Sequence, residues 1–214
     1  MSASTSLIRK PFVYKQYNVT FALIIANFLM FFLTTTIPET LRVFAMNPLY
    51  VVEGRNYWQP LSYMFIHGGI SHILFNMLGL FFFGTQVEHR VGSTEFLVFY
   101  LFVGLGAGLF SLAFYWFTGQ YFVFLVGASG AVFGTLLAFA TFFPNANIYL
   151  FGIVPIPAPI LVVGYTAIEL FSQFSGGRGN VAHFAHLAGF GFAYLYFVVR
   201  LGVNPIQVFF GSRR

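Results

Sequence analysis

Cysteine is absent from the 214-residue chain, and so is aspartate. The first absence removes disulfide frameworks, thiolate nucleophiles, Cys-ligated zinc and iron–sulfur clusters. The second removes the acid of the usual Ser-His-Asp triad, so any catalytic machinery must come from Glu, His, Ser, Thr, Tyr, Lys and Arg. Charge is nearly as scarce. Five acidic and ten basic residues make up 7% of the chain, too few to solvate a soluble surface or to track a phosphate backbone, and disordered, coiled, collagen-like and nucleic-acid-binding classes fall with them. What is present is apolar: 58% hydrophobic residues at a mean hydropathy of +0.82, more than a soluble domain buries. The chain reads as a membrane protein, and its net charge of +5 belongs to the flanks of membrane segments.

A spanning helix takes about 20 mostly apolar residues, and six can be placed, at 18–37, 71–89, 94–117, 127–143, 157–174 and 181–202. The expected fold is therefore an all-α six-helix membrane bundle forming a single domain over 1–214. The second and third spans nearly touch across Glu88, His89, Arg90 and Gly92, the signature of a tight helical hairpin. Residues 38–70, with Pro38, Pro48, Pro60, Tyr50, Tyr57, Trp58 and Phe65, are too amphipathic for a span and too apolar for a free loop. They are expected to lie in the membrane interface, where Trp and Tyr settle. The first apolar run lacks a small-residue cleavage site before Pro38 and reads as a retained helix.

Orientation follows from where Lys and Arg flank the spans. With six spans, Arg9, Lys10, Lys15, Arg90, Arg200, Arg213 and Arg214 fall on one side, and Arg42, Arg55 and Arg178 on the other. Seven against three places both termini in the cytoplasm.

The second, fourth and sixth spans then run inward from the outer face, and each carries costly polar groups in its first turns. His72 and Asn76 are four apart and share one helical face. Ser129 follows Gly127 by two residues, and His183 and His186 precede Gly189. At about 1.5 Å of rise per residue, Ser129, His186, His72 and Asn76 fall at a common depth and can meet in one water-accessible cavity. Singly, a membrane serine is usually a back-bonder to its own helix, and a His or Asn bridges helices; at a shared depth the same groups mark function. Gly130-x-x-x-Gly134 and Gly189-x-x-x-Ala193 supply two small faces that let the fourth and sixth helices approach closely. A hydroxyl and an imidazole would then come within the reach of a nucleophile–base pair, with histidine suited to proton transfer near neutral pH. Glu169 is the only acid placed to orient a histidine, and a structural hydrogen bond is its more ordinary reading. His72 and Asn76 would supply donors for an oxyanion.

At these residues the sequence resembles the rhomboid family of intramembrane serine proteases, in its minimal six-helix form. The resemblance rests on Gly127-Ala128-Ser129-Gly130, on His72-x-x-x-Asn76 preceded by His67-Gly68-Gly69 and followed by Glu88-x-x-x-Gly92, and on Ala185-His186-x-x-Gly189. It implies Ser129 as nucleophile, His186 as general base and then acid, and His72, Asn76 and the Ser129 backbone N–H as oxyanion stabilisers. It puts Gly127 and Gly130 next to the site, and makes His183 a neighbour in the cavity wall because His186 is the histidine followed by Leu-Ala-Gly. It also implies an interfacial first loop, and a gate and cap made by the fifth span and residues 175–180. Two departures stand out: Trp58 is followed by Gln59 where the family often has Arg, and Ala193 replaces the second glycine of the sixth span.

The expected activity is thus serine endopeptidase cleavage of single-span membrane-protein substrates through a Ser-His dyad, in the lipid bilayer, with no cofactor, metal or nucleic acid. The minimal form resembles bacterial members, which points to an inner membrane with the site opening away from the cytoplasm. The alternatives are a non-catalytic membrane-protein scaffold on the same fold and a small transporter, the latter weakened by the absence of a visible repeat. A metal hydrolase is weakest, because His183 and His186 come without HExxH.

Overall fold

The computed structural model describes residues 7–150, 152–174 and 180–211. Its helices fall where hydropathy puts them. Helix α1 (Val19–Thr36) is followed by three short helices, α2 (Glu39–Phe44), α3 (Pro48–Val52) and α4 (Gln59–Ser62), that fold the first loop. Helix α5 (Ile70–Gly79) passes through a π-helical turn, Leu80–Gly84, into α6 (Thr85–Val91), and α7 (Ser93–Phe117) returns. Then come α8 (Ser129–Phe142), a hairpin of β1 (Asn147–Leu150) and β2 (Val154–Pro157), α9 (Ala158–Phe174), α10 (Asn180–Tyr196) with a π-helical extension to Leu201, and α11 (Pro205–Phe210). Four helical stretches are long and apolar enough to cross a membrane: Val19–Thr36, Ile70–Val91, Ser93–Phe117 and His183–Leu201. The apolar helices Ser129–Phe142 and Ala158–Phe171 are shorter. Large apolar side chains such as Phe32, Phe75, Phe82 and Phe171 face outward, the inverse of a soluble surface and the form taken by one solvated by lipid. The protein is an integral multi-pass membrane protein with a helical bundle fold.

The antiparallel β1–β2 pair, in register Asn147↔Pro157 to Leu150↔Val154, departs from the all-helical expectation. Pro155 and Pro157 lack an N–H and cannot continue a helix, and β2 has only β1 as neighbour, the edge position a proline tolerates.

Buried carboxylates lock the end of the bundle that carries the N-terminal stretch. Glu88, buried at 1% exposure, accepts from the Val19 N–H at 2.7 Å, the Thr20 N–H at 2.8 Å, the Thr20 hydroxyl at 2.6 Å and the Ser93 hydroxyl. It thereby caps the open N-terminus of α1 from another helix, with its negative charge at the positive end of the dipole. Glu95 receives Arg200 through two nitrogens, at 3.0 and 2.8 Å, and the Tyr196 hydroxyl.

At the other end the first loop is held by its own side chains. Gln59, fully buried, accepts from the Asn47 N–H at 3.0 Å and donates to the Arg42 carbonyl at 3.0 Å, while Trp58 Nε1 donates to the Val43 carbonyl at 2.8 Å. Gln59, which follows Trp58 where the family this sequence resembles often has Arg, is the loop's internal clip. The segment leading to α8 runs beside this loop, with Met46 and Leu125 exchanging backbone bonds at 3.0 and 2.8 Å.

Candidate active site

Gly127 turns the chain from this extended approach into α8. Its φ of +117° is a conformation that L side chains rarely adopt, and a Cβ there would lie 2.6 Å from His72 Nε2. Its N–H is fixed by the Tyr63 carbonyl at 3.0 Å, and Tyr63 is anchored in turn by its hydroxyl on the Gly104 carbonyl at 2.9 Å. Ser129 is thus the first residue of α8, where backbone N–H groups have no acceptor within the helix. The helix begins two residues later than expected from hydropathy, and the serine stands at its open end.

The small faces of α8 and α10 meet as their spacing predicts. A Cβ at Gly130 would lie 3.1 Å from the Ala185 carbonyl oxygen, and one at Gly134 would lie 3.1 Å from that of Gly189. This close approach carries His186 to Ser129: His186 Nε2 and Ser129 Oγ are 2.6 Å apart. Phe133, four residues after Ser129 on the same face, stacks on the His186 ring at 4.4 Å between centroids and 6° between planes.

His72 and Asn76 face the pair from α5. The Gly68 N–H donates to His72 Nδ1 at 3.3 Å, so Nδ1 is an acceptor and the proton sits on Nε2, the nitrogen beside Gly127. Asn76 Nδ2 donates one proton to the His72 carbonyl at 2.8 Å and keeps a second. A cavity of about 500 Å³ lies between these groups, lined among others by His72, Asn76, Ser129, Phe133, Tyr165 and His186. All four residues expected to share a depth line this one cavity. Gly127 and Gly130 form the backbone beside it.

The structure separates the two histidines of α10. His183 is absent from the cavity lining and instead places Nδ1 on Glu169 Oε2 of α9, while His186 Nδ1 is 3.0 Å from Glu169 Oε1. Glu169, buried at 6% exposure, therefore touches both imidazoles. The sequence alone does not point to Phe133, Tyr165 or the double contact of Glu169. The helical spacing of four, from Ser129 to Phe133 and from Tyr165 to Glu169, puts the two aromatics on the faces that carry these polar groups; nothing of that kind signals the double contact of Glu169.

His67, at the foot of the first loop, sits edge-on to His72 with ring centroids 5.0 Å apart. Among the described residues neither of its ring nitrogens makes a hydrogen bond of good geometry, and the Phe65 backbone offers only a weak one. Burial pushes its pKa down to about 4; the neighbouring His72 adds to the fall, and the Phe65 backbone offsets part of it. Of the expected cap at 175–180, residues 175–179 lie outside the described residues.

A hydroxyl bonded to an imidazole nitrogen, beside free amide and imidazole donors in a concave apolar cavity, is a constellation suited to acyl transfer. In comparison with known proteins, the Rhomboid domain family model matches residues 54–202. The chain belongs to the rhomboid family. Similar proteins include RHOMBOID-like protein 4 of Arabidopsis thaliana, 36% identical over 146 residues, covering 68% of this chain and 34% of that one. Rhomboid protease GluP of Bacillus subtilis is 35% identical over 122 residues, 55% of this chain and 23% of that one. Rhomboid protease AarA of Providencia stuartii is 31% identical over 157 residues, 60% of this chain and 51% of that one. This rhomboid chain spans about a third of the first relative's length and a quarter of the second's.

Proposed function

We propose that this rhomboid chain is an intramembrane serine endopeptidase acting on single-span membrane proteins. The observation that carries the reading is the 2.6 Å contact between Ser129 Oγ and His186 Nε2 at the wall of the cavity that His72 and Asn76 also line. His186 takes the hydroxyl proton as Ser129 attacks the scissile carbonyl, then returns it to the leaving amine. The oxyanion that forms is held by His72 Nε2–H, the free Asn76 Nδ2 proton and the Ser129 N–H. A regular substrate helix keeps its carbonyls in hydrogen bonds, so the substrate unwinds locally at the cleavage point.

All six long helices cross the bilayer in this reading. Fourteen residues of α8 cover only about 21 Å of a hydrocarbon core about 30 Å thick. The extended stretch before Gly127 covers the remainder, which sinks Ser129 below the outer surface while the cavity admits water. Arg9 donates to the Val199 carbonyl at 3.2 Å, which supports both ends of the chain lying on one side, the cytoplasmic one by the basic-residue count, with the site opening away from it. The two bacterial relatives are consistent with a bacterial inner membrane, and the plant relative with another membrane.

Labelling of the detergent-purified protein with a fluorophosphonate tests the mechanism. Wild type is expected to label, and Ser129→Ala and His186→Ala, both folded, are not. Cleavage of a single-span substrate by Ser129→Ala would overturn the assignment of the nucleophile, and folded wild type that neither labels nor cleaves would favour a non-catalytic scaffold.

A further inference from the structure

Family resemblance supplies a dyad, but the site of this chain holds a third and a fourth polar group behind the histidine. His186 uses both ring nitrogens: Nε2 meets Ser129 Oγ at 2.6 Å and Nδ1 meets Glu169 Oε1 at 3.0 Å. Since the serine hydroxyl can donate only to an unprotonated Nε2, the ring proton resides on Nδ1 and is donated to the carboxylate. The other carboxylate oxygen takes His183 Nδ1, so Glu169 cannot swing away without breaking two contacts. Stacking on Phe133, with planes 6° apart, restrains the ring's tilt. Glu169 is buried at 6% exposure, where a carboxylate persists only with partners of this kind.

We infer that Glu169 is a positioning residue for the reaction, completing a Ser129–His186–Glu169 array in which His183 holds the carboxylate in place. This rests on the proposed protease reading. Glu169 fixes the His186 tautomer that can accept the serine proton, and its charge faces the imidazolium that forms when Nε2 is protonated. It does not itself take the proton; the Nδ1 proton stays on His186 throughout, as in the Ser-His-Asp arrangement. Because Glu169 rides on α9 while Ser129 and His186 ride on α8 and α10, the array is intact only while α9 is seated against its neighbours.

The test uses the full chain in detergent or liposomes, with turnover of a single-span substrate, fluorophosphonate labelling and the His186 Nδ1 proton resonance read in parallel. Glu169→Gln keeps the shape but removes the charge and can donate to Nδ1, favouring the wrong tautomer. It is expected to lower kcat by roughly 100-fold or more, leave KM within about twofold, and abolish the far-downfield Nδ1 proton signal expected of wild type. Glu169→Asp, which retains the charge on a shorter arm, is expected to recover part of the loss. A Glu169→Gln enzyme with wild-type kcat, or an unchanged Nδ1 resonance, would sink the inference while leaving Ser129 and His186 in their roles. A purely structural tie between α9 and α10 would lower thermal stability without moving either readout, and that outcome also overturns it. If wild type neither labels nor cleaves, the protease reading falls first. The Nδ1 resonance, which needs no turnover, then decides separately whether Glu169 holds His186.

Discussion

Gly189 and Gly130 touch backbone to backbone: a Cβ added at Gly189 would lie 2.0 Å from the Gly130 carbonyl oxygen and 3.0 Å from its Cα. No rotamer relieves such an overlap, because the obstructing atoms are main chain. Since this contact sets the separation of α8 from α10, it also sets the distance from Ser129 to His186.

Gly189→Ala is therefore expected to force the helices apart, destabilising the fold by ~1–3 kcal/mol and reducing turnover by more than the stability loss explains, because His186 recedes from Ser129. Gly191→Ala is the control. A Cβ at Gly191 meets nothing within 4 Å, so its effect is expected within about 0.5 kcal/mol. Thermal unfolding in detergent alongside substrate turnover reads both, and equal behaviour of the two variants would disprove the packing account.

How this contact came to be legible in the sequence, and others not, follows from distance along the chain. Spans show in local hydropathy, and the helices start and stop within one or two residues of the expected bounds. The small faces on α8 and α10 show as four-residue spacings within one helix, as does the His72–Asn76 pair. The tie of Glu169 to His183 and His186 joins separate helices, and a single sequence offers only the scarcity of acids as a hint. Gln59 stands out in the sequence as a departure, but its role as a clip depends on carbonyls 16 and 17 residues away, which no periodicity encodes. The β1–β2 hairpin is not legible because both of its strands, of four residues each, are too short to show an alternation.

At Gly127 two costs coincide, the positive φ and the approach of His72 Nε2. Gly127→Ala is expected to cost ~1–3 kcal/mol from backbone strain alone and to displace the His72 imidazole, the proposed oxyanion donor. Its signature is a fall in kcat larger than that of His72→Ala, because the start of α8 and Ser129 move too. A Gly127→Ala enzyme at least as fast as His72→Ala would show that position 127 does not set the geometry.

In the proposed mechanism His72→Ala and Asn76→Ala each remove one oxyanion donor and are expected to reduce kcat ~100-fold with little change in KM, since such donors act on charge that develops only during attack. Asn76 also bonds the His72 carbonyl at 2.8 Å, so the double variant should lose less than the product of the two single losses. Steady-state kinetics on the four proteins measures the coupling, and strictly multiplicative losses would indicate independent donors.

Glu88 caps α1 with four donors around a buried carboxylate. Glu88→Gln turns two acceptor oxygens into one acceptor and one donor that faces N–H and O–H groups, and is expected to destabilise the protein by about 3 kcal/mol. Because Glu88 lies outside the cavity lining, the fluorophosphonate labelling rate of the folded fraction should hold. A variant as stable as wild type would mean that water replaces the lost acceptor.

His67 gives the pH dependence a defined sign. Its pKa is near 4 in the folded protein and about 6.5 in an unfolded chain, so between these values the unfolded state binds the extra proton and folding opposes it. The contribution of His67 to stability is therefore complete above pH 6.5 and lost as the pH falls toward 4. His67→Phe preserves a ring beside His72 and removes the titration along with two buried nitrogens that make no hydrogen bond of good geometry among the described residues. It is expected to be neutral or stabilising at pH 7, and to flatten the decline between pH 6.5 and 4. Thermal unfolding of the two proteins across that range isolates the effect as a difference, and parallel curves would show that His67 is already partnered and does not titrate there.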